Sequence, residues 1–176
     1  MSELVTQNIL QSKDESYSQC RRDLLNGLLT KAKEPVIGAF NRLLASVPYD
    51  DYTNAAKHKV VIDGHRFPAQ EWLYRATIFG FLRGCGVVVV AEMHTNLGRA
   101  DLVVAHRGVL WVIELKVAYT SENAEAKAEE AYRQIMDNDY ATPYPGAVCL
   151  GLCIDNSTRQ ITASQANFSP CIDDAM

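Results

Sequence analysis

The order of hydrophobic patterns in this 176-residue chain predicts an α/β protein with a mixed central sheet flanked by helices. Three helical patterns come first, and three strand patterns follow them. A further helix then precedes two more strands. A tight hairpin implies an antiparallel pair, and the later helix permits a crossover to a parallel neighbour, so the sheet should contain both kinds of pairing.

The predicted helices begin near the N-terminus. Leucines recur at helical spacing within Cys20–Thr30, which predicts a first helix there. A second helix is predicted over Pro35–Ala45, since proline suits a first helical turn. After a short extended piece over Lys59–Ile62, a third helix is predicted over Ala69–Leu82, with Gly84 as its end. Its apolar face is assigned to Trp72, Leu73, Ala76, Phe79 and Gly80.

Three strand patterns follow that helix. Val87–Met93 is a continuous apolar run led by valines, typical of a strand that is covered on both faces. Arg99–His106 and Val109–Val117 form a predicted hairpin, with Arg107 and Gly108 at its turn.

The last predicted elements are a helix and two strands. Ser121–Asn138 is rich in alanine and glutamate, and Ser121 or Asn123 is placed to cap the helix. Ala147–Ile154 has the apolar pattern of a buried strand. A turn separates it from a short final strand over Arg159–Thr162.

Composition limits the classes of function. The five cysteines are scattered without a CxxC motif, which argues against a disulfide framework and a thiolate zinc site and fits a cytoplasmic protein. No segment has the pattern of a signal peptide or a membrane span. The formal net charge of −4 is unusual for a protein that binds nucleic acid tightly, because phosphate neutralisation supplies most of that affinity.

Three ionisable residues lie inside the predicted strands of the hairpin, away from Arg99 and His106 at the ends of the first strand. Glu114 and Lys116 lie two positions apart on one strand, so their side chains point to the same face. Asp101 lies near the start of the preceding strand, where antiparallel pairing brings it toward the far end of its neighbour. Two carboxylates beside an ammonium group favour Mg²⁺ or Mn²⁺, with the lysine able to orient or deprotonate a water molecule. The hypothesis is therefore cleavage of phosphodiester bonds.

Each charged residue also has an ordinary explanation. Glu114 and Lys116 could belong to the wet face of a half-exposed strand, although the residues beside them on that face are apolar. Asp101 could pair with Arg99 or simply begin its strand. Glu71 lies near the start of the third helix, where an acid interacts favourably with the helix dipole without any catalytic role.

A helix-borne acid and two strand motifs occur in a characteristic order. Glu71 lies on a helix, Gly98-Arg99-Ala100-Asp101 opens a strand, and Glu114-Leu115-Lys116 follows after the hairpin. This ordered set resembles the PD-(D/E)xK nuclease superfamily. More narrowly, residues 40–163 are similar to the nuclease-like domain found C-terminal to an AAA-ATPase-like module in many bacterial proteins. That likeness includes Leu44–Tyr49, Glu130–Ile135, Tyr140–Ala141 and Cys149–Asp155.

The resemblance implies a restriction-endonuclease-like αβββαβ core, here with extra N-terminal helices. It implies that Asp101 and Glu114 hold Mg²⁺ or Mn²⁺. Lys116 would position the attacking water, and Glu71 would be an auxiliary acid on the helix. Ala100 stands where the superfamily's name has proline, which is a common variation.

The resemblance also implies further site residues and partners. Gln134 and Tyr140 would line the cleft on the following helix. Nucleic acid, with DNA favoured, is the expected partner, and an ATPase-like module and a second copy of the chain are further expected partners. The ATPase module is not in this sequence, so the chain is expected to be a stand-alone version or a C-terminal piece. The predicted division is a flexible segment at 1–18, one nuclease-like domain at 19–163 and a tail at 164–176.

Three functions stay open on the sequence. The leading prediction is a metal-dependent nuclease. The alternative is a catalytically silent module that keeps the fold and binds nucleic acid or a protein partner, which the acidic balance favours. The third is a toxin-like or defence effector with the same chemistry.

Overall fold

The structure is a computed structural model that describes residues 2–47, 59–62, 65–94, 98–119 and 123–168, with side chains described in 15–47, 70–93, 98–119 and 123–167. The described elements, in chain order, are α1 (Ser2–Thr30), α2 (Lys33–Ser46), β1 (Lys59–Ile62), β2 (His65–Pro68), α3 (Ala69–Gly84), β3 (Val88–His94), β4 (Arg99–His106), β5 (Val109–Ala118), α4 (Ala124–Asp137), β6 (Val148–Asp155) and β7 (Gln160–Phe168).

The central sheet is mixed, as the sequence predicts. Its strand order is β3-β4-β5-β6-β7, and β1 and β2 form a separate antiparallel pair. β5 and β6 run parallel, connected through α4, and the other neighbouring strands of the sheet are antiparallel. The predicted α/β class with a restriction-endonuclease-like arrangement is therefore confirmed.

Helices cover the sheet on two faces. On one face, α1, α2 and α3 form the larger core, whose largest fully buried side chains include Trp111, Tyr74 and Phe40. The indole Nε1 of Trp111 donates to the carbonyl oxygen of Leu28 at 3.0 Å, so the polar atom of this buried ring is satisfied. α4 covers the opposite face, where Ile135 is fully buried in a second cluster.

The β4–β5 hairpin closes through the turn that the sequence predicts. Arg107 and Gly108 have positive φ values of 48° and 83°, which is typical of a two-residue type I′ turn. From that turn the ladder runs to the pair Leu102 and Ile113. Because a slip of one residue would move every side chain to the other face, this turn decides which face carries the candidate carboxylates.

The parallel neighbour β6 lets α4 lie directly on the sheet. Gly151 of β6 pairs with Glu114 of β5. A Cβ added at Gly151 would lie 2.4 Å from the backbone nitrogen of Tyr132 and 2.6 Å from the carbonyl oxygen of Ala128. Glycine is therefore required for this close approach, which brings α4 beside the strand position that carries Glu114.

The start of α4 is capped by one of the two predicted residues. Oδ1 of Asn123 accepts a hydrogen bond from the backbone N–H of Ala126 at 3.0 Å. This bond satisfies one of the N–H groups that a helix leaves unpaired at its first turn. The other candidate cap, Ser121, lies outside the described residues.

The apolar face that the sequence assigns to α3 is only partly right, since Leu73 and Phe79 pack against the core but Trp72 and Gly80 do not. Tyr74, Ile78 and Leu82 are fully buried, whereas Trp72 is 43% exposed and Gly80 is also exposed. The helix carries apolar residues around most of its circumference, so spacing alone does not distinguish the two faces. As a result, Trp72 lies at the surface.

The prediction that the Val87–Met93 strand is covered on both faces is also wrong. Val88 is 62% exposed and Val90 is 42% exposed, whereas Val87 and Val89 are buried. β3 is an edge strand of the sheet, and α4 packs chiefly on β5, β6 and β7. A strand at the edge therefore buries only one of its faces here.

Secondary structure extends beyond the predicted elements at both ends. α1 begins at Ser2 and not at Cys20, so a helix covers most of the segment predicted to be flexible. β7 continues to Phe168 beyond the predicted end at Thr162, because it pairs along β6. Both additions are polar, so their periodicity gives little signal. The domain bounds at 19 and 163 stay predictions, and residues 169–176 of the predicted tail lie outside the described ranges.

Membrane-spanning character is absent from the helices that the structure describes. None of them combines the length and the apolar content needed to cross a bilayer.

We predict that Gly151→Ala destabilises the fold, because the added methyl group would collide with backbone atoms of α4. The free energy of unfolding in urea should fall by about 1–3 kcal/mol, the usual range for overpacking. Gly38→Ala in α2 is the matched control, since nothing lies within 4 Å of its added Cβ. Alanine should stabilise that helix position by about 0.5–1 kcal/mol. Equal stability of the two variants would contradict the close approach of α4.

Candidate active site

Asp101 and Glu114 meet where the β4–β5 ladder ends. The last backbone pair on this side is Leu102 with Ile113. Beyond it, the backbone N–H of Asp101 donates to Oε2 of Glu114 at 3.1 Å. In return, the backbone N–H of Leu115 donates to Oδ2 of Asp101 at 3.0 Å. The two carboxyl groups therefore accept N–H groups that would otherwise lack partners as the strands separate.

The acid pair is nearly removed from solvent. Asp101 is 8% exposed and Glu114 is 3% exposed. The pKa of Glu114 is raised to about 9, first by burial and then by the neighbouring Asp101 carboxylate. The backbone N–H of Asp101 and the ammonium group of Lys116 lower this pKa, but by less than burial and Asp101 raise it. Glu114 therefore keeps a proton at neutral pH unless a further cation replaces it.

An arginine from α3 lies beside Asp101. Nη1 of Arg75 donates to Oδ1 of Asp101 at 2.8 Å, and Nη2 donates to Oε1 of Glu92 at 2.5 Å. Arg99 contacts Oε2 of the same Glu92 carboxylate at 3.3 Å. Arg75 is thus the arginine that pairs with Asp101, whereas Arg99, the partner considered on the sequence, pairs with Glu92.

Sequence reasoning missed both Arg75 and Glu92. Arg75 lies four residues after Glu71, one turn along the same helix face, so its spacing is a signal that could have been used. Glu92 carries no such signal. It has a φ of 52°, in the left-handed region that residues other than glycine rarely adopt, and the pairing of β3 with β4 skips it.

Lys116 lies on the same strand face as Glu114 and extends toward α4. Its Nζ donates to Oε1 of Gln134 at 2.7 Å. On the same face, Val112 is fully buried and Ala118 is nearly so. This face is therefore covered, as the apolar flanking residues indicate, and the ammonium group is held by a specific partner.

Glu71, in the first turn of α3, belongs to the same electrostatic cluster. Burial raises the pKa of its carboxyl group most, and repulsion from Asp101 adds to that effect. Lys116, Arg75 and Lys127 lower it. The fold therefore gathers the four residues to which the family resemblance gives catalytic roles, although those roles stay predictions.

Tyr140 supports the start of β4. Its hydroxyl oxygen accepts the backbone N–H of Arg99 at 3.0 Å and Nδ2 of Asn138 at 3.1 Å. A Cβ added at Gly98 would lie 2.5 Å from that hydroxyl, so the chain passes very close to the ring. Tyr140 is 2% exposed and packs in the core, whereas the resemblance implies a position lining the cleft. Of the two predicted cleft residues, Gln134 is the one that contacts Lys116.

The acid pair fits a divalent ion but does not complete a coordination shell. Within the described ranges, no group of three or more His, Cys, Asp and Glu side chains is arranged to hold a metal. Oε1 of Glu114 has no hydrogen-bond partner among the described residues, although the side chain is buried. A buried carboxyl oxygen without a partner is unusual. Mg²⁺ is commonly held by one or two carboxylates together with water and substrate phosphates, which matches this donor set.

Comparison with known protein families finds one that matches this chain. A family model described as the PD-(D/E)XK nuclease superfamily matches residues 69–163, which is more than half of the chain. The match begins at α3 and includes every candidate residue. No curated protein matches the chain.

We predict that Glu114→Gln stabilises the metal-free protein increasingly as the pH rises. The pKa of Glu114 is about 9 in the folded state against 4.5 ordinarily, so between these values the folded state keeps a proton that the unfolded state loses. Wild-type stability therefore falls across that window, and the amide variant lacks this loss. In thermal unfolding with EDTA, the Tm of the variant should rise relative to that of wild type as the pH increases. Each 1 kcal/mol of difference in unfolding free energy corresponds to about 2–4 °C.

The control for this experiment is Glu129→Gln on the surface of α4, which leaves the buried pair intact. Its Tm should follow wild type at every pH. If the Tm of Glu114→Gln and that of wild type change in parallel across this pH window, the prediction that buried Glu114 holds a proton is refuted.

Proposed function

Because the chain belongs to the PD-(D/E)XK nuclease superfamily, we propose that it is a divalent-metal-dependent nuclease that hydrolyses phosphodiester bonds of DNA. The observation that carries the proposal is the buried Asp101–Glu114 pair with Lys116 on the same strand as Glu114. Asp101 and Glu114 are proposed as the ligands of Mg²⁺ or Mn²⁺. When bound, the ion would neutralise charge on the scissile phosphate and acidify a water molecule.

The chain's own side chains supply positioning and charge. The 2.7 Å contact with Gln134 holds the Lys116 ammonium group in place. From there Lys116 orients the attacking water and offsets negative charge that develops on the phosphate oxygens. Glu71 is proposed as the auxiliary acid, since its raised pKa makes it readier to hold a proton than an exposed glutamate.

A catalytically silent binding module is the second candidate, and two observations favour it. The formal net charge is −4, which weakens attraction to nucleic acid. Oδ1 of Asp101 also has a cationic partner already, because Arg75 lies 2.8 Å away. Calorimetry with Mn²⁺ separates the candidates. The nuclease should bind the ion at a site that Glu114→Gln removes, whereas a silent module should give no such site.

Partners other than nucleic acid stay predictions. The resemblance implies an ATPase-like module and a second copy of the chain. Light scattering on the purified protein measures whether it dimerises. The cytoplasmic location expected from the cysteines is likewise a prediction.

We predict that Lys116→Ala lowers kcat by about 100- to 1,000-fold, the range for loss of one group that stabilises developing charge. The assay is a digestion panel of plasmid, linear duplex, single-stranded DNA and RNA with Mg²⁺ or Mn²⁺. Lys33→Ala is the matched control, because Lys33 lies near Val148 at one end of β6. Lys116 pairs with Cys153 near the other end of that strand. Undiminished cleavage by Lys116→Ala would remove the residue from the mechanism.

We also predict that the Mg²⁺ concentration for half-maximal cleavage falls as the pH rises toward 9. The ion must replace the proton that Glu114 holds in the metal-free protein, so proton and ion compete. The requirement should change by about tenfold per pH unit where one proton is released on binding. Mg²⁺ titrations between about pH 6 and pH 9 measure this change. A constant requirement over that range would show that ion binding releases no proton from Glu114, contrary to this prediction.

A further inference from the structure

A recess lies beside the candidate active site, between α3 and β3. Its volume is about 250 Å³, and its lining residues are Trp72, Arg75, Ala76, Phe79, Ala91 and Glu92. Two of them, Arg75 and Glu92, belong to the ion-pair network that holds Asp101. The recess and the proposed metal site therefore share Arg75 as a common wall.

Trp72 is the large aromatic side chain at the edge of this recess. It is 43% exposed and follows Glu71 directly in the first turn of α3. The spacing of Trp72, Ala76 and Phe79 places them on one helix face, where Phe79 packs partly against the core and Trp72 does not. The core of the protein therefore does not account for an indole at this position.

The charges around the recess are already paired with one another. Arg75 contacts the carboxylates of Asp101 and Glu92, and Arg99 contacts Glu92. Among the described residues, these two cations and two carboxylates balance, so the network offers no surplus positive charge to a phosphate group. Aromatic walls beside a neutralised rim instead suit a flat and uncharged ring.

We propose that this recess binds one unpaired nucleobase of the substrate, stacked on the Trp72 indole, while the adjoining phosphodiester lies at Asp101. The inference rests on the proposed nuclease function for the identity of the strand. A base inside a duplex is already stacked between its neighbours, so the preferred substrate is single-stranded DNA or an unpaired strand end. Because every base has a π face, stacking of this kind tolerates different sequences.

The two tryptophans of the chain make this binding measurable. Trp111 is fully buried, so quenching of tryptophan fluorescence by an added oligonucleotide reports on Trp72. The probe is an oligothymidylate of about 12 nucleotides, within the usual size of a single-strand site, titrated into Lys116→Ala protein with Mg²⁺. We expect quenching at lower concentrations of the single strand than of the corresponding duplex. If a labelled form of this oligonucleotide binds without quenching the fluorescence of Trp72, the proposal is overturned.

Kinetics of variants give the second measurement. Trp72→Ala should raise KM for single-stranded DNA by about 5- to 100-fold, the range for loss of one stacked base, with a much smaller effect on kcat. Trp72→Phe keeps an aromatic face and should retain most of the affinity. Tyr17→Ala is the matched control, because Tyr17 is 48% exposed and contacts Phe81 near the other end of α3. Circular dichroism checks that each variant is folded.

The outcomes separate the two proposals. If wild type cleaves DNA and Trp72→Ala leaves KM and affinity unchanged, the recess proposal is overturned and the nuclease proposal stands. If wild type cleaves nothing but single strands still quench Trp72, the nuclease proposal fails while base binding is supported. Loss of affinity in Trp72→Ala with recovery in Trp72→Phe supports the recess proposal directly.

Discussion

Burial of two acids at one point of the sheet is the constraint on which the site depends. An uncompensated buried charge costs several kcal/mol, so each carboxyl group needs donors or a cation nearby. Backbone N–H groups of Asp101 and Leu115 supply two of these contacts where β4 and β5 separate. Arg75 supplies a cation from α3, and Lys116 acts on Glu114 from the same strand. These contacts come from several elements, so the site can form only when the sheet and its helices are assembled.

The arrangement leaves the acid pair compensated only in part. The pKa of Glu114 stays at about 9, which means that a proton, and not the nearby donors, neutralises this group in the metal-free protein. A cation that binds this pair must displace that proton. Burial of apolar side chains in the larger core stabilises the fold, and the close approach of α4 over Gly151 brings Gln134 to Lys116. The site thus draws on both sheet faces, because α3 supplies Arg75 and Glu71 and α4 supplies Gln134.

Helix α3 connects the core to the chemistry. Its buried face carries Tyr74 and Ile78. Elsewhere on the helix, Glu71 lies near the acid pair, Trp72 lines the recess, and Arg75 contacts both. A helix that serves only the core would have a single apolar face. Here an aromatic residue lies at the surface, which explains why hydrophobic spacing assigned Trp72 to the buried face.

The sequence by itself determined the order of the helices and of the five strands of the central sheet, and the face shared by Glu114 and Lys116, because these follow from local periodicity and turn chemistry. It did not predict β2. It also indicated that Asp101 lies near them, since a two-residue hairpin sets the register of its strands. Only the tertiary structure decided that Arg75 pairs with Asp101 and that Glu92 shares this arginine. Those contacts join residues distant in the chain, and a helix's rotation against a sheet is set by packing of the whole core. Local patterns carry no information about that rotation when a helix is apolar on most sides.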